Sequence, residues 1–150
     1  MPLFQVVDLV DQNEEFLFTA KSKLSPLSNE RHRLGEMYTC GLQDFDPQPN
    51  KYDAIWCQWV LMHLTDDDLY SFLLRCKSSL RPNGIIFVKE NVSRDDEPEI
   101  DADDCSVART EHTYQELFKR SGLNIIKQQY QGNFPRKLLP VRMYALTGTT

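Results

Sequence analysis

No stretch of the 150-residue sequence approaches the roughly 18 consecutive apolar residues of a membrane-spanning helix. Residues 1–10 also lack the basic start and long apolar run of a secretory signal. The four cysteines, Cys40, Cys57, Cys76 and Cys105, contain no CxxC spacing, and no histidine stands at a zinc-like interval. They read as buried or free thiols of a reducing compartment, with no metal site. Basic residues are scattered and the net charge is −5, so the chain lacks the clustered Lys and Arg that a nucleic-acid binder uses to neutralise phosphates. A GxGxxG segment is absent as well, which removes the cradle for a dinucleotide pyrophosphate. No repeat, low-complexity segment or linker is visible. The expectation these absences leave is a soluble, intracellular single domain with one core, of ordinary composition at 41% hydrophobic and 26% charged residues.

Hydrophobic patterning predicts strands alternating with helices. Phe4–Val10, apolar and β-branched, runs into Asp11 and reads as a buried parallel strand. Phe16, Leu17, Ala20 and Leu24 recur at helical spacing over Glu14–Leu24, with Asn13 as N-cap and Pro26 breaking the pattern in Ser25–Asn29. Glu36–Cys40 is a second strand, followed by Gly41 and a loop over Gln43–Asn50. Tyr52–Val60 is the most aromatic strand, with Trp56 expected in the core. Thr65 caps a helix reaching about Leu80, with Asp66, Asp67 and Asp68 at its positive end. Its core face reads Leu69, Phe72, Leu73, Cys76 and Leu80. Arg81–Gly84 is a turn, and Ile85–Lys89 a further buried strand. Thr113 and Glu116 form a capping box for a helix ending at Gly122, and Leu123–Tyr130 and Val141–Thr147 are two last strands. Between residues 95 and 104 lie Asp95, Asp96, Glu97, Glu99, Asp101, Asp103 and Asp104. Such a run is either a solvated loop or a site that receives a cationic partner.

The alternation predicts an α/β fold with a mostly parallel sheet and crossover helices, and the terminal strand pair predicts an antiparallel hairpin at one edge. That is the layout of Rossmann-like methyltransferases. Ligands in open α/β sheets bind at the carboxyl ends of the strands. The rule selects Asp11–Asn13, Leu42–Gln43, Gln58–His63 and Lys89–Asn91. An acidic residue such as Asp11 can accept both ribose hydroxyls there, or simply cap the following helix.

The stretches 7–17 (VDLVDQNEEFL), 40–45 (CGLQDF), 52–69 (YDAIWCQWVLMHLTDDDL), 76–91 (CKSSLRPNGIIFVKEN) and 103–109 (DDCSVAR) make the chain resemble the alpha-N-terminal protein methyltransferases. These enzymes methylate the free α-amine of proteins beginning Xaa-Pro-Lys or Xaa-Pro-Arg. The resemblance implies a Rossmann-like class I fold, S-adenosylmethionine as cofactor, protein substrates with such N-termini, and a nuclear or cytoplasmic location. It places Asp11, Gln12 and Asn13 at the adenosine ribose, Leu42 and Gln43 at the adenine, and Gln58 at the methionine end. Trp59, His63, Asn91, Asp101, Asp104 and Ser106 fall on positions lining the peptide channel. The chemistry of methylating an amine assigns catalytic roles to His63, as the base that takes its proton, and to Asp104, which orients the amine or shares that role. The acidic loop is one residue longer here than in the family.

Two departures accompany the resemblance. If Phe4–Asp11 is the second strand, the first strand, its glycine-rich loop and its helix, on the order of 30 residues, lie upstream. Met1-Pro2 then reads as a truncated or alternatively started beginning. Leu138-Leu139-Pro140 also stands where the family tends to carry a channel tyrosine, which bears on mono- against trimethylation. Each site residue has a structural alternative. Trp59 could be core, His63 could join a capping network with Thr65, and Gln58 and Asn91 could satisfy loop backbone. The rival functions are a small-molecule methyltransferase using the same cofactor, and an inactive methyltransferase-fold binding module.

Overall fold

The computed structural model describes residues 3–148, in two compact units divided between Phe45 and Asp46. Met1 and Pro2, where the sequence suggests a shortened beginning, lie outside the described residues.

In the first unit, β1 (Val6–Asp11) pairs in parallel with β2 (Arg33–Thr39). Helix α1 (Glu14–Leu24) connects them, and Asn13 caps it as expected by accepting the Glu15 N–H at 2.9 Å. A short 3-10 turn over Ser25–Leu27 ends the helix at Pro26. The ladder shifts register between Val7 and Leu9. There the Asp8 carboxylate accepts the Glu36 N–H at 2.9 Å, lying where a side chain on Gly35 would collide with it. The ladder runs on both sides of this irregularity, so β2 begins at Arg33, earlier than its apolar residues suggest.

The second unit is a four-stranded sheet in the order β3-β4-β8-β7. β3 (Tyr52–Gln58) and β4 (Leu80–Asn91) are parallel and joined by α2 (Asp66–Ser79). Thr65 caps α2, its hydroxyl accepting the Asp68 N–H at 3.1 Å and donating to the Asp68 carboxylate at 2.7 Å. That cap contributes about 1 kcal/mol to the helix. Its buried face is Leu69, Phe72, Leu73 and Cys76, and Leu80 is also buried at the start of β4. The expected turn at residues 81–84 sits inside β4: the register jumps from Tyr52↔Leu80 to Ala54↔Ile85, so these residues bulge out, with Asn83 at φ 65°.

β7 (Leu123–Tyr130) and β8 (Val141–Gly148) form the expected antiparallel hairpin at one edge, with β8 lying inside it against β4. Between β4 and β7 lies a small antiparallel ladder, β5 (Glu99–Asp101) with β6 (Ser106–Ala108), and then α3 (Glu111–Arg120). The start of α3 differs from the sequence expectation. Thr110 is the N-cap, accepting the Thr113 N–H at 3.0 Å, because Tyr114, Leu117 and Phe118 must face the core and this phase places the first turn earlier. Gly122 stops the chain at φ 67°, as the sequence suggests.

The core of this unit lies on one face of the sheet, where Cys57, Ile86, Val88, Tyr144 and Leu146 are buried with the apolar faces of α2 and α3. Side chains alternate across a strand, so Trp56 and Gln58 point to the other face. Trp56 is accordingly 63% exposed, against the expectation of a core residue, with its ring 5.6 Å from that of Phe87.

Candidate active site

The carboxyl ends of the parallel strands β3 and β4 come together in register, with Gln58 opposite Lys89. β3 stops at Gln58 because Trp59 turns into the left-handed region at φ 52°. For a bulky side chain that conformation is rare and costs on the order of 1–2 kcal/mol. It persists where surrounding groups over-determine it, and such sites concentrate at functional positions. The Trp59 N–H donates to the Lys89 carbonyl at 3.1 Å, and the Lys89 ammonium lies 4.8 Å from the centre of its ring. The indole is 39% exposed, so the core alternative for Trp59 fails. A 3-10 turn over Leu61–His63 then leads to the Thr65 cap. His63 is exposed, and the Thr65 cap runs through Asp68 rather than through His63.

Two residues that sequence reasoning misses hold this corner. Glu90 is fully buried, and its Oε1 accepts the N–H groups of Val60 at 2.9 Å and Leu61 at 3.0 Å. Burial pushes its carboxyl above the ordinary range, against the opposing pull of those two amides and of the neighbouring His63 and Arg109. Arg109 is 2% exposed and donates to the Leu61 carbonyl at 3.1 Å and the Leu64 carbonyl at 2.5 Å. Its Nε also meets the Asp66 carboxylate at 2.6 Å, in the first turn of α2. Alternation along β4 carried the signal for Glu90, since Ile86, Val88 and Glu90 share the inward face. No local pattern marks Arg109.

Beyond the end of β4 a cavity of about 460 Å³ opens beside the β5–β6 ladder. It brings together four of the expected residues, Asn91, Asp101, Asp104 and Ser106, and adds Met62, from the corner itself, and Leu139. The Asp101 carboxylate also accepts the Asp103 N–H at 2.9 Å, which shapes the turn between the two short strands. Trp59, His63 and Gln58 do not line this cavity; they stand on the corner and the strand end before it. Leu139, from the Leu138-Leu139-Pro140 stretch where the resemblance expects a tyrosine, lies in the wall.

The remaining expected residues lie in the first unit. Asp11 ends β1, and one of its oxygens accepts the Asn13 N–H at 2.8 Å. The capping alternative therefore holds for that oxygen. Gln12 and Asn13 are exposed beside it, and Asn13 also spends its side-chain oxygen on Glu15. Leu42 and Gln43 stand in the turn after Gly41, closed by the Asp44 and Phe45 N–H groups on the Gly41 carbonyl. In the second unit the Gln58 side-chain oxygen accepts from the Trp56 indole at 3.2 Å, and its amide N–H₂ is a donor. A carboxylate at the end of β1 can take hydroxyls, and an amide at the end of β3 can donate to a carboxylate. Among the described residues no cluster of His, Cys, Asp and Glu could hold a metal, and no helix is long and apolar enough to cross a membrane.

Comparison with known proteins identifies the family and the fold. The family model of AdoMet dependent proline di-methyltransferases matches residues 1–147. N-terminal Xaa-Pro-Lys N-methyltransferase 1-B of Xenopus laevis is 47% identical over 146 residues, covering 97% of this chain and 64% of that protein. The enzyme named N-terminal Xaa-Pro-Lys N-methyltransferase 1 in Mus musculus is 43% identical with the same coverage. The chain thus spans 64% of the length of these curated relatives. A solved SAM-dependent methyltransferase from Leishmania major superposes with a TM-score of 0.88 at 34% identity, over 95% of this chain and 55% of that one. An S-adenosylmethionine-dependent methyltransferase from Clostridium acetobutylicum, at a TM-score of 0.74 and 17% identity over 99% of this chain and 77% of its own, shares the fold.

Proposed function

The chain belongs to the AdoMet-dependent proline di-methyltransferase family, and from that premise we propose that it methylates the free α-amine of proteins beginning Xaa-Pro-Lys or Xaa-Pro-Arg. The observation that carries the reading is one unit holding a strained, exposed Trp59, a solvent-accessible His63 and an acidic cavity lined by Asn91, Asp101, Asp104 and Ser106. A neutral small molecule would have no use for that cavity.

S-adenosylmethionine, when bound, supplies an electrophilic methyl group on a sulfonium. Asp11, Gln12 and Asn13 would hold its ribose, Leu42 and Gln43 its adenine, and Gln58 its methionine end. On the acceptor side, an α-amine has a pKa of about 8 and is mostly protonated at neutral pH, so it must lose a proton before its lone pair can act. His63 takes that proton, directly or through water. Asp104 binds and orients the amine. Its charge favours the ammonium form, which aids binding while opposing deprotonation. Trp59 offers the substrate proline a flat face, and Asn91 hydrogen-bonds the peptide backbone. Asp101 and its acidic neighbours pair with the Lys or Arg in third position, while Ser106 lines the path. A residue before proline is held extended, so the peptide enters as a strand-like segment. A nuclear or cytoplasmic location belongs to the same proposal, supported by four cysteines that are all free thiols.

Methyl transfer to three peptides tests the reading. The complete protein should methylate a Ser-Pro-Lys peptide, act poorly on Ser-Pro-Glu, and leave N-acetylated Ser-Pro-Lys untouched. Equal turnover of the acetylated peptide would overturn the assignment of the α-amine.

A further inference from the structure

We propose that Glu90 and Arg109 act together as positioning residues that hold Trp59 and His63 in register with the acidic cavity, an inference that rests on reading this corner as the peptide site. Residues 59–64 follow neither strand nor α-helix, so regular structure leaves several of their backbone groups without partners. The two buried side chains supply those partners. Glu90 takes the N–H groups of Val60 and Leu61, and Arg109 takes the carbonyls of Leu61 and Leu64. Leu61, 0% exposed, is gripped by both its N–H and its carbonyl.

The two residues come from places that tie the corner to the rest of the site. Glu90 precedes Asn91, which lines the cavity. Arg109 directly follows β6, whose Ser106 and Ala108 also line it. The Arg109 carbonyl further accepts the Ser93 N–H at 2.9 Å, closing the base of the segment that contains the acidic ladder. One residue therefore fixes the foot of the acidic ladder with its backbone and the histidine corner with its guanidinium. A peptide whose third residue sits among the carboxylates would thereby have its α-amine placed at a set distance from His63.

The clamp works through hydrogen-bond geometry rather than net charge, and this makes it testable. Arg109→Lys keeps the charge but has no planar fork to span two carbonyls and a carboxylate. Glu90→Gln loses the charge but keeps an oxygen that can accept both N–H groups. The measurements are steady-state kinetics on a Ser-Pro-Lys peptide and hydrogen exchange at the Val60 and Leu61 amides, in the complete protein. Arg109→Lys should lower kcat about tenfold or more while KM changes less than about threefold, because misplacement of the amine acts on the chemical step. Exchange at both amides should quicken. Glu90→Leu should do the same, and Glu90→Gln should restore both readouts to within about threefold of the parent. Parent-like kinetics and exchange in Arg109→Lys would overturn the proposal, as would a Glu90→Gln variant as impaired as Glu90→Leu. If the parent protein itself left the peptide unmethylated, the peptide reading would fall, and the exchange pattern would still decide whether the clamp exists.

Discussion

Replacing Trp59 by alanine and, separately, by glycine asks whether the corner is truly left-handed. Both substitutions remove the same indole, its partial burial and its contact with the Lys89 ammonium, so the difference between them reports the backbone alone. At an ordinary extended position alanine is the more stable by about 0.4–1 kcal/mol, because glycine has more freedom to lose on folding. At φ 52° the alanine Cβ meets the following carbonyl, a cost on the order of 1–2 kcal/mol that glycine escapes. The second effect exceeds the first, so the sign reverses and Trp59→Gly should be more stable than Trp59→Ala by about 0.5–1 kcal/mol. For a chain of this size that is a separation of roughly 1–4 °C in Tm, readable by calorimetry or by urea midpoints at equal m-value. An alanine variant more stable than the glycine variant would refute the left-handed corner and the strain argument built on it.

Further outcomes follow from the same geometry. His63→Ala and Asp104→Ala should each lower turnover by about 10²-fold, as expected for a positioned acid–base group, and parent-like rates in both would remove them from the mechanism. Burial raises Glu90 above its ordinary value of 4.5, so its contribution to stability is full below that pH and is lost as pH rises through the raised folded value. Glu90→Gln cannot ionise, and its stability relative to the parent should increase from about pH 4 to about pH 7 in denaturant titrations; a relative stability that falls over that range contradicts the assignment. Cys57 is buried and its thiol is pushed up to about 12, with Cys76 also raised, whereas Cys105 is exposed. Iodoacetamide at about pH 8 should therefore label Cys105 in the native protein and reach Cys57 and Cys76 only after unfolding, as peptide mapping will show.

Features governed by local chemistry are legible in the sequence. The Asn13 and Thr65 caps, the apolar face of α2 and the stop at Gly122 depend on residues close together along the chain. Features set by tertiary contacts are not. Arg109 meets Leu61 across 48 residues of chain, and nothing near Arg109 in sequence reveals that it is buried. The β5–β6 ladder, its first strand inside the acidic run and its second just after it, is hidden because three-residue strands carry too few apolar positions to show an alternation. Size alone puts Trp56 in the core, and the parity of β3, which turns Cys57 inward, sends it outward. Spacing to Glu116 suggests Thr113 as a cap, yet the inward phase of Tyr114 makes Thr110 the cap. The strand-end rule, by contrast, finds the corner and Asn91 because it depends only on the parallel pairing of β3 with β4.

The central claim is that the methyl acceptor is the substrate α-nitrogen. Fragment-ion mass spectrometry of a Ser-Pro-Lys peptide incubated with the complete protein and S-adenosylmethionine tests it most directly. Every added methyl should appear on fragments retaining the N-terminal serine and none on the lysine side chain. Methylation confined to lysine would contradict the account.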